Sequence, residues 1–234
     1  MKIKDSKILI TGGSSGIGKE TAKLLIEKGA TVIITGRSKE RLEKSATEIG
    51  AIPCVFDISD LSNFKENTEK CISLLDGKVD ALINNAGIGV FPKMGEITLE
   101  NFQSIYATNV FGLALLTQEI ARIFIKQNYG SIINIGSTAS QKGFVGGTVY
   151  ASSKFAVRGM TQSWQAELRK HNIRVSLVNP SEVTTAFADE NRVERTDVAN
   201  KLSATEVAHT IVSTLEMNDK GFVPEVTLWA TNPF

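Results

Sequence analysis

The sequence is poor in the residues that build metal centres and disulfide frameworks. Its 234 residues include only two histidines and two cysteines, and Cys54 and Cys71 lack the CxxC spacing of structural zinc sites. His171 and His209 lie far apart in the chain, so a His-rich metal cluster is not expected. We therefore expect no metal and no disulfide framework, in a protein whose cysteines are reduced.

An excess of one charge and long hydrophobic runs are also missing. Lys and Arg number 26 against 25 for Asp and Glu, a net charge of +1, which argues against nucleic acid or a membrane surface as a partner. The longest apolar runs, such as residues 110–116, have about seven residues, whereas a membrane span needs about 20. The first residues contain no apolar signal segment before a polar, Gly-rich turn, so a cytoplasmic location is expected.

What is present is an alternation of short apolar strands and helices. Strands are predicted at 7–11, 31–35, 52–56, 79–83, 131–135, 173–178 and 222–226, with helices at 17–29, 38–49, 61–75, 99–127, 149–170 and 203–217. This order predicts an α/β fold, a Rossmann-type doubly wound parallel sheet of about seven strands with helices on both faces. We expect one domain over 1–234. Its least regular stretch, 181–202, is the candidate lid or substrate-binding loop.

A glycine-rich turn joins the first strand to the first helix. Gly12, Gly16 and Gly18 are spaced G-x3-G-x-G, and glycines let the backbone turn sharply and approach a ligand closely. The helix N-terminus that follows offers N–H groups and partial positive charge to a pyrophosphate. A dinucleotide site is favoured because open α/β sheets bind ligands at this edge. The alternative is a tight strand–helix turn with no ligand.

The end of the second strand favours a particular cofactor. NAD-binding proteins usually place a carboxylate there for the ribose 2′-hydroxyl, whereas this strand ends in Thr35-Gly36-Arg37-Ser38. The planar donor fork of Arg37 suits a 2′-phosphate, which favours NADP(H). The alternative is a solvated arginine on a loop.

A tyrosine and a lysine share one face of a predicted helix. Tyr150 and Lys154 are four residues apart, one helical turn. A nearby ammonium lowers the pKa of a phenol, which could then act as a general acid or base on a carbonyl or alcohol. A hydroxyl after the fifth strand could bind the carbonyl oxygen, and the spacing alone leaves Ser137, Thr138 and Ser140 as alternatives. No Gly-x-Ser-x-Gly elbow supports a serine hydrolase.

Together these motifs resemble the short-chain dehydrogenase/reductase (SDR) family over almost the whole chain. The resemblance rests on the glycine turn, Asn84-Asn85-Ala86-Gly87, Asn109, Ser137 and Tyr150-x3-Lys154 in this order. It implies that Ser137 orients a carbonyl and that Tyr150 transfers the proton. Lys154 would lower the phenol's pKa and bind the nicotinamide ribose. Asn109 would hold a water in the proton relay; a mid-helix amide bonded to backbone is its alternative.

The resemblance also implies the cofactor contacts. Asp57 would meet the adenine amino group, although a turn carboxylate is its alternative. Ser181 stands where the family often has glycine, and Ser15 stands where many NADP-linked members have a basic residue. The implied cofactor-binding residues are Gly12, Ser14, Ser15, Gly16, Ile17, Gly18, Arg37, Ser38, Asp57, Ile58, Asn85, Ala86, Gly87, Tyr150, Lys154, Pro180, Val183 and Thr185.

These observations lead to one expected function and two alternatives. We expect an NADP(H)-dependent enzyme that reduces a small-molecule carbonyl, either a ketone or a 3-oxoacyl thioester, to an alcohol. The alternatives are an NAD-linked alcohol dehydrogenase of the same fold and a dinucleotide-binding regulator without catalysis. The helices at 99–127 and 149–170 carry more apolar surface than one sheet face needs, so a homodimer or homotetramer is expected.

Overall fold

A single parallel sheet of seven strands forms the centre of the computed structural model, which describes residues 1–188, 196 and 198–233. The strand order is β3-β2-β1-β4-β5-β6-β7 and every pair is parallel. The predicted doubly wound fold is therefore confirmed. The strands are β1 (Lys7–Thr11), β2 (Thr31–Gly36), β3 (Ile52–Val55), β4 (Ala81–Asn84), β5 (Gly130–Ile135), β6 (Ile173–Pro180) and β7 (Glu225–Leu228).

Helices cover both faces of this sheet. They are α1 (Gly16–Glu27), α2 (Lys39–Ile49), α3 (Phe64–Ser73), α4 (Leu99–Tyr106), α5 (Leu113–Gln127), α6 (Thr148–Leu168) and α7 (Ala204–Glu216). Alternate residues of each strand enter different cores: Ile8 and Ile10 pack on the α1 and α7 side, and Leu9 packs on the α3 and α5 side. Burial on both faces explains why the strands read as continuous apolar runs rather than alternating ones.

The helix predicted over 99–127 is interrupted. Six residues, Ala107–Gly112, form a π-helical turn between α4 and α5. Gly112 permits close packing at this point, because a Cβ there would collide with the backbone carbonyl of Ile58. Wider turns of this kind inside α-helices often occur at functional sites, and this one contains Asn109.

Two elements begin three residues later than predicted. The helix predicted from residue 61 begins at Phe64, because Asp60 accepts a hydrogen bond from the Ser62 backbone N–H at 3.0 Å and forms a turn first. The last strand lies at Glu225–Leu228 instead of 222–226. Pro224 precedes it and accepts the Leu177 N–H at 3.0 Å, so regular pairing starts one residue later.

The expectation of reduced cysteines is wrong in this structure. Cys54 of β3 and Cys71 of α3 form a disulfide, with their Cα atoms 5.9 Å apart and both residues buried. A separation of 17 residues matches no metal-binding spacing. The two sulfurs meet only because α3 packs over β3, which the local sequence does not show.

The predicted loop at 181–202 is joined at its two ends. Val183 and Leu202 form an isolated parallel bridge, and the Thr184 N–H donates to the Leu202 carbonyl at 2.9 Å. Residues 189–195 and 197 of this loop lie outside the described residues. Within the described part of the chain, none of the helices has the length and apolarity to cross a bilayer, and no cluster of potential metal ligands occurs.

Candidate active site

A long crevice of about 710 Å³ opens at the carboxyl ends of the strands. β1 and β4 lie side by side there although they are not consecutive in the chain, so the connections diverge on either side of them. In open α/β sheets, such a reversal of strand order leaves a gap between the loops on either side, and ligands bind in this gap.

The glycine turn after β1 forms the floor of the crevice. Gly12 and Gly16 have φ of 68° and 51°, values that L side chains rarely adopt. The Thr11 hydroxyl accepts the backbone N–H groups of Asn85 and Ala86 at 3.1 and 3.0 Å. The Asn85 side-chain amide donates to the Thr11 and Gly12 carbonyls at 3.0 and 2.9 Å. The turn after β1 and the turn after β4 are thereby fixed to each other.

Almost all of the predicted site residues line this crevice. The two exceptions are Gly18, which packs beneath Gly12, and Asn109, which is buried beside it. The predicted residues that line the crevice are Gly12, Ser14, Ser15, Gly16, Ile17, Arg37, Ser38, Asp57, Ile58, Asn85, Ala86, Gly87, Ser137, Tyr150, Lys154, Pro180, Val183 and Thr185.

The outer end of the crevice, beyond β2 and β3, is polar and open. Arg37 is exposed at the end of β2, and Arg41 on α2 lines the same end. Sequence reasoning missed Arg41, although its position four residues after Arg37 was a usable signal. Asp57 accepts hydrogen bonds from the backbone N–H and hydroxyl of Ser59 at 3.0 and 2.7 Å. This carboxylate therefore holds a turn, as its alternative reading proposed, and also faces the crevice.

The inner end of the crevice, beside β4 and β5, contains Tyr150, Lys154 and Ser137. The Lys154 Nζ lies 5.8 Å from the centroid of the Tyr150 ring, as the spacing predicts, and donates to the Ile135 carbonyl at 2.8 Å. Burial raises the pKa of Tyr150 to about 12, while a hydrogen bond with the Ser137 side chain acts in the lowering direction. Burial lowers the pKa of Lys154 to about 8. The net shift of the phenol is thus opposite to the one expected from the sequence.

The hydroxyl that meets Tyr150 is that of Ser137, and Ser140 has another role. The Ser140 hydroxyl is buried and accepts the Ser137 backbone N–H at 3.2 Å. The same N–H also donates to the Asn179 side-chain oxygen at 3.2 Å. Thr138 lines the crevice. The geometry therefore resolves the choice that spacing leaves open in favour of Ser137.

A hydrogen-bonded chain behind Ser137 was not found from the sequence. Asn179, at the end of β6, is fully buried and donates to the Glu225 carboxylate at 2.9 Å. Glu225 on β7 also accepts from Arg158 at 3.1 Å and from Gln141 at 2.8 Å. This chain, which we call the Glu225 network, connects two strands and α6 to the backbone of Ser137.

Comparison with known proteins agrees with this geometry. The sequence profile described as short chain dehydrogenase matches residues 6–196. The chain belongs to the short chain dehydrogenase family. Over 195 residues it is 36% identical to a 3-oxoacyl-[acyl-carrier-protein] reductase of Thermotoga maritima, covering 81% of this chain and 79% of that one. It is 37% identical to an L-xylulose reductase of Caenorhabditis elegans over 195 residues, 80% and 75% of the two chains.

A solved member of the family shows the same fold over nearly the full length. The alcohol dehydrogenase of the archaeon Thermococcus sibiricus, complexed with 5-hydroxy-NADP, superposes with a TM-score of 0.88 at 25% identity and covers 97% of each chain. As a member of this family, the protein is an oxidoreductase, and its Rossmann-type fold is the one seen in its relatives.

In this short chain dehydrogenase, Asn109 contacts backbone rather than the crevice. Its side-chain oxygen accepts the Ile88 N–H at 2.9 Å, and its amide donates to the Ile88 carbonyl at 3.0 Å and the Ser153 hydroxyl at 3.1 Å. These contacts are those of its alternative reading, a buried amide bonded to backbone. Asn109 thus ties the segment after β4 to the helix that carries Tyr150 and Lys154.

Ser181, the departure from the family pattern, fits without backbone strain. Its φ is not positive, and its N–H donates to the Leu228 carbonyl at 2.9 Å. The serine therefore extends the pairing of β6 with β7, and its position beside the crevice is retained.

The inner end also contains aromatic side chains that sequence reasoning missed. Phe91 and Phe187 pack edge-on against the Tyr150 ring, with centroids 5.3 and 5.7 Å away. Phe144 packs on Phe91 at 6.0 Å. Phe91, Phe144 and Phe187 are separated by 53 and 43 residues in the sequence, so no local spacing relates them.

Proposed function

We propose that this protein is an NADP(H)-dependent reductase that converts a carbonyl, a ketone or 3-oxoacyl thioester, to an alcohol. The observation that carries the proposal is the placement of Tyr150, Lys154 and Ser137 at the inner end of a crevice that begins at the glycine turn. Such a crevice can hold an extended dinucleotide with its reactive end beside a proton donor.

The residues of the crevice fit a dinucleotide. A Cβ at Gly12 would fall 2.8 Å from the Ala86 Cα, so glycine keeps this turn tight and its backbone close to the ligand. Ser15, the residue before α1, makes no side-chain capping bond to the helix. The positive end of α1 thus faces the crevice, where it suits a pyrophosphate.

The protein's own groups would position the substrate and move one proton. Ser137 would donate a hydrogen bond to the substrate oxygen as negative charge develops on it. Tyr150 would donate its phenolic proton to the same oxygen. The buried Lys154 would hold positive charge beside the phenol and so favour the phenolate left after transfer. The cofactor, when bound, supplies the hydride.

The raised pKa of Tyr150 holds the phenol in the protonation state that reduction requires. With a pKa of about 12, the phenol keeps its proton at neutral pH and is ready to donate it. In the oxidative direction the same group must first lose that proton, which the buried position opposes.

The preference for NADP(H) rests on the outer end of the crevice. Arg37, between β2 and α2, and Arg41, in the first turn of α2, both line the crevice there, so their guanidinium groups suit a 2′-phosphate. The Thermococcus sibiricus relative was solved with 5-hydroxy-NADP, which supports the same choice. The alternative remains an NAD-linked enzyme of the same fold.

The test is to measure ketone-dependent consumption of NADPH and NADH by the wild type and by Arg37→Asp. We expect the wild type to prefer NADPH. The substitution should lower the affinity for NADPH roughly tenfold or more and leave the affinity for NADH nearly unchanged. Lys170→Asp, the same charge change at an exposed site away from the crevice, should alter neither. An NADH preference in the wild type would favour the NAD-linked alternative. Cofactor binding without turnover of any carbonyl would favour the non-catalytic regulator.

We also propose that the protein assembles as a homodimer or homotetramer. Phe111, Leu115 and Phe155, on the π-helical turn, α5 and α6, are 49%, 37% and 45% exposed. Apolar surface of this kind is commonly covered by a second copy. Light scattering should give a mass of two or four chains, and a monomeric mass at micromolar concentration would contradict the proposal.

Three further expectations belong to this proposal. The chain would form one domain over 1–234, with 181–202 as its substrate-binding loop, and it would act in the cytoplasm on small molecules. Limited proteolysis tests the single domain and the loop together. The first cut should fall within 181–202, and cuts elsewhere should release no separately folded fragment.

A further inference from the structure

The inner end of the crevice is walled by aromatic rings, and we propose that its preferred substrates are neutral ketones with an aryl group on the carbonyl carbon. This inference rests on the proposed function, since it assumes that Tyr150 protonates the substrate oxygen. It goes further by assigning Phe91, Phe144 and Phe187 as the residues that select the substrate.

The three phenylalanines and Tyr150 form a continuous aromatic surface. Phe91 and Phe187 flank the Tyr150 ring with interplanar angles of 61° and 62°, and Phe144 extends the surface from Phe91. Rings attract in such edge-to-face arrangements, with centroids about 4.5–7 Å apart. A substrate whose carbonyl reaches Tyr150 must place its substituent against this surface, where an aryl ring can add a further contact of the same kind.

Glycines make room for this surface. A Cβ at Gly89 would lie 2.7 Å from both the Phe187 and the Phe91 rings, and a Cβ at Gly147 would lie 2.7 Å from the Phe144 ring. The rings can occupy their positions only because these neighbours lack side chains. Yet Phe91 and Phe144 are 42% and 50% exposed. Apolar groups exposed beside a crevice are typical of a ligand-binding surface.

The charges near Tyr150 disfavour charged substrates. Lys154 is buried and bonded to the Ile135 carbonyl, and the crevice residue Glu182 is paired with Lys201 at 2.7 Å. Beside Tyr150 lie the uncharged hydroxyl of Ser137 and apolar side chains such as Ile88 and Ala139. Among the described residues, this end therefore offers no second cation for a substrate carboxylate or phosphate, and an uncompensated charge there would be costly.

The test compares acetophenone, cyclohexyl methyl ketone, pyruvate and L-xylulose as substrates with NADPH. Acetophenone and cyclohexyl methyl ketone have rings of similar size but carbonyls of different intrinsic reactivity, so the change of their ratio between wild type and variants isolates the aromatic contact. We expect kcat/KM for acetophenone to exceed that for cyclohexyl methyl ketone about fivefold and that for pyruvate about 100-fold or more. Phe91→Leu and Phe187→Leu should each reduce the first ratio toward one, whereas Phe222→Leu, outside the crevice, should preserve it.

The outcomes separate this inference from the proposed function. Higher kcat/KM for pyruvate or L-xylulose than for acetophenone would overturn the aryl preference while leaving the reductase intact. An acetophenone ratio unchanged in both crevice variants would overturn the assignment of the phenylalanines. NADPH binding, measured by fluorescence, without oxidation in the presence of any carbonyl would overturn the proposed function itself, and the substrate preference with it.

Discussion

The two ends of the crevice differ in the chemical groups that line them. The outer end consists of backbone turns and cations, with the exposed Arg37 and the half-buried Arg41 beside the glycine turn. At the inner end, buried side chains predominate, with Tyr150 and Lys154 enclosed and their pKa values displaced to about 12 and about 8. A polar end built largely from backbone suits recognition of a cofactor, whereas the chemistry depends on side chains whose burial fixes their protonation.

This difference predicts how the two ends respond to substitution. Changes at the glycine turn should affect cofactor affinity first, because there the ligand meets backbone that tolerates no added atoms. Changes at the inner end should affect turnover, pH dependence and stability while the cofactor still binds. Three substitutions test this separation.

The largest effect on cofactor affinity is expected from Gly18→Ala. A Cβ at this position would collide with the Gly12 carbonyl oxygen and approach the Asn85 side chain, so the turn must shift away from its ligand-binding form. We expect NADPH affinity to fall roughly 100-fold, as measured by fluorescence titration. Gly159→Ala on α6 is the matched control, since a Cβ there meets nothing within 4 Å. It should bind NADPH normally and gain about 0.5–1 kcal/mol of stability. Equal affinity in both variants would contradict the role of the turn.

Lys154→Met should stabilise the protein at neutral pH. The pKa of Lys154 is 10.5 in the unfolded chain and about 8 in the folded protein. Between these values the unfolded chain holds more protons, so wild-type stability rises with pH across this window. The methionine variant lacks this contribution.

The measurement is the free energy of unfolding from denaturant titrations at pH 7 and pH 10.5. The advantage of Lys154→Met over wild type should shrink by about 2 kcal/mol between the two pH values. Turnover should be lost, and NADPH should bind more weakly, because Lys154 is also an implied ligand of the nicotinamide ribose. Parallel stability profiles in the two proteins would show that burial does not penalise the ammonium.

A smaller effect is expected from Glu225→Ala, which breaks the Glu225 network behind Ser137. Asn179 would lose the acceptor it bonds at 2.9 Å, and the Ser137 backbone would be held less firmly. We expect kcat to fall about tenfold with NADPH affinity unchanged. Glu225→Gln keeps an acceptor oxygen and should restore most of the rate, and Thr227→Ala on the same strand should have little effect. A loss of cofactor affinity that matched the loss of kcat would assign Glu225 to the fold alone.

Much of the fold and of the outer end could be predicted from the sequence because the signals are local. The strand–turn–helix order, the glycines and Arg37 lie within one stretch of the chain. Each can therefore be recognised from the residue type and its neighbours in sequence. Tyr150 and Lys154 were predictable for the same reason, since one helical turn relates them.

The rest depends on contacts between distant segments. The π-helical turn arises where Gly112 packs on Ile58, and the disulfide arises where α3 covers β3. Asn179 and Glu225 meet across paired strands. The pKa of Tyr150 is raised by burial, to which the packing of Phe91 and Phe187 on its ring contributes, and the Ser137 hydrogen bond acts in the lowering direction. No spacing in the sequence encodes these contacts.

The most direct test of the account is to measure NADPH affinity and carbonyl turnover together in Tyr150→Phe. The substitution removes the phenolic oxygen and retains the ring that packs against Phe91 and Phe187. If Tyr150 is the proton donor, turnover should fall about 10²- to 10⁴-fold while NADPH binds as tightly as to the wild type. Turnover that survives the substitution, or falls only in proportion to NADPH affinity, would contradict the assignment.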